Sequence, residues 1–171
     1  NPFLVKYFNE LNLSKGSRVF VPLCGKTLDI TWLLSNGYRV AGAELSAIAI
    51  EQLFAELGVK PTITRSGGIA HYHANDLDIF VGDIFEVTNT MLGPVDAIYD
   101  RAALVALPKT MRSRYTAHVT EITDHAPQLP LRQQLVAQAA RHGLGAAIGG
   151  REQEQRLLRA DPGQLGADAL P

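Results

Sequence analysis

Three residues of this chain have types and positions that suit one shared site: Gly25, Glu44 and Arg101. Glu44 closes an apolar stretch, and an acceptor-only carboxylate at the carboxyl end of a strand can take both ribose hydroxyls of a nucleoside. Gly25 lies in the turn 23–27, which opens on Leu23; without a Cβ it lets a ligand approach the main chain closely. Arg101 ends a later apolar stretch, where a guanidinium can hold a ligand's carboxylate or an anionic acceptor by a charge-assisted contact. Each has a plainer reading beside it. Glu44 as a solvated strand end and Arg101 as a structural partner of Asp100 or Asp83 both stay open.

Other reactive types carry less. Cys24 is a tempting nucleophile, but a buried turn cysteine is more often inert. His71 and His73 alternate on one strand face; with no third ligand evident nearby, they are expected to be exposed strand residues and no metal is expected.

The elements that must position these groups form a βαβ half-unit. The apolar run Val19, Phe20 and Val21 makes a strand at 18–22, covered on both faces as in a parallel sheet, and Pro22 closes it. A helix is expected over 28–36, with Asp29 in its first turn and Gly37 after it, and a second strand over 38–43 leads into Glu44. A short right-handed crossover lays the two strands side by side, which carries Glu44 to the glycine turn. Ser46 caps a helix running to Leu57, and Gly58 ends it. Strands follow at 62–64, 69–73, 77–81 and 95–99, with a hairpin turn at 66–68 and a helix over 110–123. Near the amino end, Phe3, Leu4, Tyr7, Phe8 and Leu11 recur at helical spacing and are expected to pack.

The turn is neither G-x-G-x-x-G nor a phosphate loop of the G-x-x-x-x-G-K-[ST] type, which argues against a dinucleotide or nucleoside triphosphate. An acidic strand end without a phosphate nest suits a nucleoside lacking a pyrophosphate. S-adenosyl-L-methionine fits that description.

The segments VPLCGKTLDITWL, GAELS, GDIF and YDRAALVALP resemble, in that order and spacing, the thiopurine S-methyltransferase family in its bacterial form, over residues 3–129. The resemblance implies an α/β Rossmann-like fold of the S-adenosylmethionine-dependent methyltransferases, with cofactor contacts from Leu23, Gly25, Glu44, Asp83, Ile84 and Arg101. Asp83 and Ile84 would flank the adenine, although Asp83 also suits the start of a turn. The implied reaction is methyl transfer to the sulfur of an aromatic or heterocyclic thiol, with chalcogen compounds as further acceptors. An in-line displacement at a sulfonium methyl needs alignment, a dry site and an ionised acceptor, so no catalytic base is assigned.

A length of 171 residues, a net charge of −1 and a 46% apolar content suit a globular chain with a small-molecule partner, without a strongly basic face for nucleic acid. A single cysteine, which allows no internal disulfide, favours the cytoplasm, no long apolar run suggests a membrane span, and a monomer is expected. The chain opens at Asn1, and no tryptophan precedes Trp32, so the family's cofactor-covering tryptophan is expected to be missing with an amino-terminal segment. From 124 onward lysine and the aromatic residues Phe, Tyr and Trp disappear while glutamine becomes frequent. Residues 1–129 are therefore read as the methyltransferase core. Residues 130–171 are read as an atypical tail, either frame-shifted or a divergent stretch with helices at 131–142 and 152–159. The last strands of the fold would then be lacking, the edge beside the 95–99 strand unpaired, and the chain open to a second reading as an inactive cofactor-binding remnant.

Overall fold

The run from Arg18 to Pro22 becomes the central strand β1, and all five of its residues are buried in the computed structural model, which describes residues 1–101 and 103–129. Alternation along β1 sorts its side chains between two apolar clusters. Val19 and Val21 meet Ile30, Leu33, Ile50, Leu53 and Phe54 on one face, while Phe20 meets Phe80, Tyr115, Val119 and Ile122 on the other. A strand apolar on both faces needs a helical layer against each, and the chain supplies them.

Ahead of β1 lie α1 (Pro2–Tyr7) and a 3-10 turn (Phe8–Leu11), whose Leu4 and Phe8 are fully buried as the helical spacing predicts. After β1 come α2 (Leu28–Ser35), β2 (Arg39–Glu44) and α3 (Ala47–Leu57). The hydroxyls of Thr27 and Ser46 cap the two helices by accepting from Asp29 N and Ala49 N, each at 3.3 Å. Gly58, in the left-handed region at φ 67°, ends α3.

The antiparallel hairpin β3 (Thr62–Ser66) and β4 (Ile69–Ala74) is followed by β5 (Leu77–Val81), a 3-10 turn (Ile84–Glu86), α4 (Asn89–Leu92), β6 (Ala97–Ile98), α5 (Ala103–Ala106) and α6 (Lys109–Ile122). The sheet order is β3-β4-β5-β2-β1-β6, with β5, β2, β1 and β6 parallel. The chain leaves β1 toward β2 on one side and returns to pair β6 on the other. In open α/β sheets ligands bind beside such a reversal, outside the carboxyl ends of the strands.

Two expectations need correction. The strand expected over 95–99 pairs in register only at Ala97–Ile98: at its start Asp96 Oδ2 takes the Arg18 N–H at 2.7 Å in place of a main-chain carbonyl, while past its end Tyr99 N still donates to Phe20 O at 2.8 Å. The edge beside it does not stay bare: Ile98 bridges to Gln128 in parallel, Leu129 N donates to Ile98 O at 3.1 Å, and Leu129 is fully buried. The expectations placed on 130–171, including the tail helices and the lacking last strands, lie outside the described residues.

Candidate functional site

At the carboxyl ends of β1, β2 and β5 the main chain is tied together before any ligand is considered. Cys24 N donates to Ala43 O at 3.0 Å, and Gly82 N donates to Glu44 O at 2.9 Å. The Glu44 carboxylate joins in: Oε2 accepts from Gly25 N at 2.8 Å and Oε1 from Ser46 N at 3.0 Å. Two main-chain donors thus fix the carboxylate without using all its acceptor directions, since each oxygen can still take a second hydrogen bond. The sequence expectation that Glu44 meets the glycine turn is met by a direct contact.

The turn itself is strained. Leu23 and Gly25 both lie in the left-handed region, at φ 46° and 52°. For glycine this is free, whereas leucine pays about 1–2 kcal/mol. Such strain survives only where its surroundings enforce it, and it gathers at functional sites. A Cβ built on Gly25 would meet nothing within 4 Å, so the main chain there borders open space.

Arg101, half exposed, reaches back over the same turn. Its Nη1 donates to Thr27 Oγ1 at 2.9 Å, and its Nε lies 3.6 Å from Asp29 Oδ2. Asp29 is buried and accepts from the Tyr99 hydroxyl at 3.0 Å. Burial, followed by the Asp29 charge and hydrogen bond, pushes the Tyr99 hydroxyl's pKa well up. Asp100 braces the start of the next helix, where its carboxylate accepts from Ala103 N at 2.8 Å and from the Tyr115 hydroxyl at 2.9 Å. Tyr115 is raised further still by burial and then by Asp100.

Asp83 caps the 3-10 turn, accepting from Phe85 N at 3.0 Å, and its side chain is exposed. Ile84 is 5% exposed and packs inward with Phe20 and Ala43, so the accessible groups at this point are Asp83 and the main chain. Its carbonyl is 2.7 Å from His118 Nε2. The Cys24 thiol is buried, and its pKa is pushed far up by burial and then by Glu44, which fits the inert reading.

Sequence reasoning gave Thr27, Tyr99 and the exposed Leu28, Leu45 and Ile48 no site role, and placed Asp29 only as a dipole partner. Leu28 and Leu45 directly follow Thr27 and Glu44, and Ile48 stands two residues after the Ser46 cap, so all three lie close in the chain to the same strand ends. Exposed side chains of this size beside a fixed carboxylate suit a ligand with an apolar ring and a polyhydroxyl part.

These features fit a nucleoside with an amino-acid arm, and the comparisons with known proteins agree. The family model of thiopurine S-methyltransferase matches residues 1–155, further than the motifs alone indicated. The chain belongs to the thiopurine S-methyltransferase family. A relative from Xanthobacter autotrophicus is 64% identical over 129 residues, covering 75% of this chain and 61% of its own. One from Acinetobacter baylyi is 49% identical over 138 residues, covering 78% and 64%. The chain thus spans about three fifths of the length of the curated relatives it matches. Among solved structures, a TehB-like SAM-dependent methyltransferase from Corynebacterium glutamicum superposes with a TM-score of 0.50 at 16% identity, covering 71% of this chain and 56% of that one. The fold is shared with that methyltransferase, and S-adenosyl-L-methionine is the cofactor of the thiopurine S-methyltransferase family. No described helix is long and apolar enough to cross a membrane.

Proposed function

We propose that the chain binds S-adenosyl-L-methionine at the carboxyl ends of β1 and β2, and that its protein transfers the methyl group to the sulfur of an aromatic or heterocyclic thiol. The observation that carries this reading is the Glu44 carboxylate, held by Gly25 N and Ser46 N with acceptor directions to spare. In it Glu44 takes the ribose hydroxyls, and Leu23 and Gly25 offer the main chain of the strained turn to the cofactor's body. Asp83 and the main chain at Ile84 face the base edge. Arg101 directs its guanidinium either to the cofactor's carboxylate or to the acceptor's thiolate. When bound, the cofactor supplies an activated sulfonium methyl. What this chain contributes is orientation and exclusion of water, worth several kcal/mol of a displacement barrier without any proton transfer by the protein. A small neutral or anionic acceptor suits the net charge of −1 better than nucleic acid does. A cytoplasmic monomer with a single buried cysteine goes with the same reading.

Calorimetric titration with S-adenosylhomocysteine, with NAD as control, tests the cofactor half. Saturable binding of the first alone is expected, and binding of NAD alone would overturn it. Production of S-adenosylhomocysteine with a heterocyclic thiol tests the other half. Binding without that turnover would favour a cofactor-binding remnant. Arg101→Ala then separates its two roles, since loss of cofactor affinity marks the first and loss of turnover at unchanged affinity marks the second.

A further inference from the structure

The sheet carries a second polar cluster, at the amino end of β5 and away from Glu44. His73 stands opposite Asp78 across the β4–β5 hairpin, and His71, two residues back on the same face, stands opposite Phe80. The third group whose absence argued against a metal is therefore supplied by pairing register. His71 Nε2 and His73 Nδ1 each lie 2.8 Å from the same oxygen, Asp78 Oδ1. One ligand atom from each of the three residues falls within 4.8 Å of the others. Asp78 Oδ2 is meanwhile taken by Arg18 Nη2 at 2.9 Å. Partial burial works against ionisation of Asp78, but hydrogen bonds from His73, His71 and Arg18 outweigh it and hold the carboxyl below its ordinary range.

We propose that His71, His73 and Asp78 Oδ1 form a three-ligand site for a divalent transition-metal ion of the zinc type. Two imidazoles and one carboxylate are a donor set for zinc, cobalt or nickel, and a poor one for magnesium or calcium, which prefer oxygen alone. Ligand atoms around tetrahedral zinc stand about 3.3 Å apart for bonds of about 2.0–2.1 Å. The two histidine–aspartate spacings of 2.8 Å must open by about half an ångström, and the two imidazole nitrogens, which lie within 4.8 Å of each other, come to the same spacing by small turns of the rings. Each neutral ring then carries its proton on the nitrogen that faces away, so the ion replaces two hydrogen bonds and no net proton is lost. The supports are already in place. Arg18 orients the carboxylate from behind, and the His71 ring stacks on Phe80 with centroids 4.7 Å apart and planes 13° from parallel. The His73 side chain is 59% exposed, which leaves the fourth position to water.

The test uses the full chain with zinc in calorimetry and cobalt in visible absorption. One ion per chain is expected, with the ligand-field bands of a four-coordinate cobalt site. Loss of an outer partner already costs metal sites about 10–100-fold in affinity, so His73→Ala and His71→Ala should each weaken zinc at least tenfold. His73→Gln, which keeps a polar group beside Asp78, should do the same with circular dichroism and thermal midpoint unchanged. S-adenosylhomocysteine affinity should not move in any of them. An absence of zinc binding, or equal binding in the His71→Ala/His73→Ala double variant, would overturn the site.

Discussion

The two ends of this one sheet each fix a carboxylate, but with different partners. At the carboxyl end Glu44 is held by main-chain N–H groups of Gly25 and Ser46, which neither titrate nor rotate. At the amino end Asp78 is held by the side chains of Arg18, His71 and His73. A carboxylate fixed by the main chain is a permanent acceptor, suited to neutral hydroxyl groups. One shared between two imidazoles can exchange its partners for a cation. The ends should therefore fail separately: substitutions at one should spare the binding that belongs to the other.

The largest effect is expected at the amino end, from Arg18→Ala. The guanidinium bonds Asp78, the Leu92 carbonyl and, at 3.3 Å, the Pro94 carbonyl. Its loss strips Asp78 Oδ2 and the buried Leu92 carbonyl of their guanidinium partner, while the two histidines still hold Oδ1; breaking such a largely buried ion pair costs about 3–5 kcal/mol. Urea denaturation measures it. Affinity for S-adenosylhomocysteine in the fraction that remains folded should stay within about twofold, as for sites without shared partners. A loss of cofactor affinity as large as the loss of stability would join the two ends and break the comparison.

A smaller effect is expected from Glu44→Gln, in binding and, because the amide offers one acceptor oxygen where Gly25 N and Ser46 N now use two, also in stability. Removing the charge while keeping the shape should weaken S-adenosylmethionine and S-adenosylhomocysteine alike by about 1–3 kcal/mol, the range for hydrogen bonds to a charged group. Zinc affinity should be untouched. Calorimetry that finds cofactor affinity unchanged would leave Glu44 as a strand-end brace for Gly25 and nothing more.

What could be read in advance follows the range of the interactions involved. The bounds of β1, α3 and β5 are those expected from sequence, because an apolar run, the Ser46 cap and the Gly58 stop are local signals. Glu44 beside Gly25 follows from βαβ handedness. The strand expected over 95–99 failed where a distant side chain intervened, since nothing near Asp96 shows that it will take the Arg18 N–H. The contact of Asp29 with Tyr99 joins residues 70 positions apart and had no local trace. The histidine cluster did have one. A turn at Asn75 and Asp76, where Asp76 has φ 59°, makes 73 and 78 equidistant from its centre, which sets His73 opposite Asp78.

The smallest effect at neutral pH distinguishes the ends by titration. Tyr99 donates to Asp29 at the carboxyl end, and Tyr115 donates to Asp100 on the other face of the sheet. Burial and the carboxylate beside each raise both hydroxyls above the ordinary value. The unfolded chain ionises its tyrosines near pH 10. Above that pH the unfolded state holds fewer protons than the folded one, so stability falls as pH rises; below it the contribution is complete. Each tyrosine should add a slope of about 1.4 kcal/mol per pH unit above pH 10. Tyr99→Phe should cost about 1 kcal/mol near pH 8, the worth of one hydrogen bond, and should remove one tyrosine's share of the alkaline slope. His73→Ala, at the amino end, should leave that slope unchanged. Denaturation curves collected from pH 8 to pH 11 measure all three proteins. An alkaline slope indifferent to Tyr99→Phe would mean that this hydroxyl ionises in the fold as freely as out of it, and that Asp29 is held by Arg101 and its other neighbours without help from Tyr99.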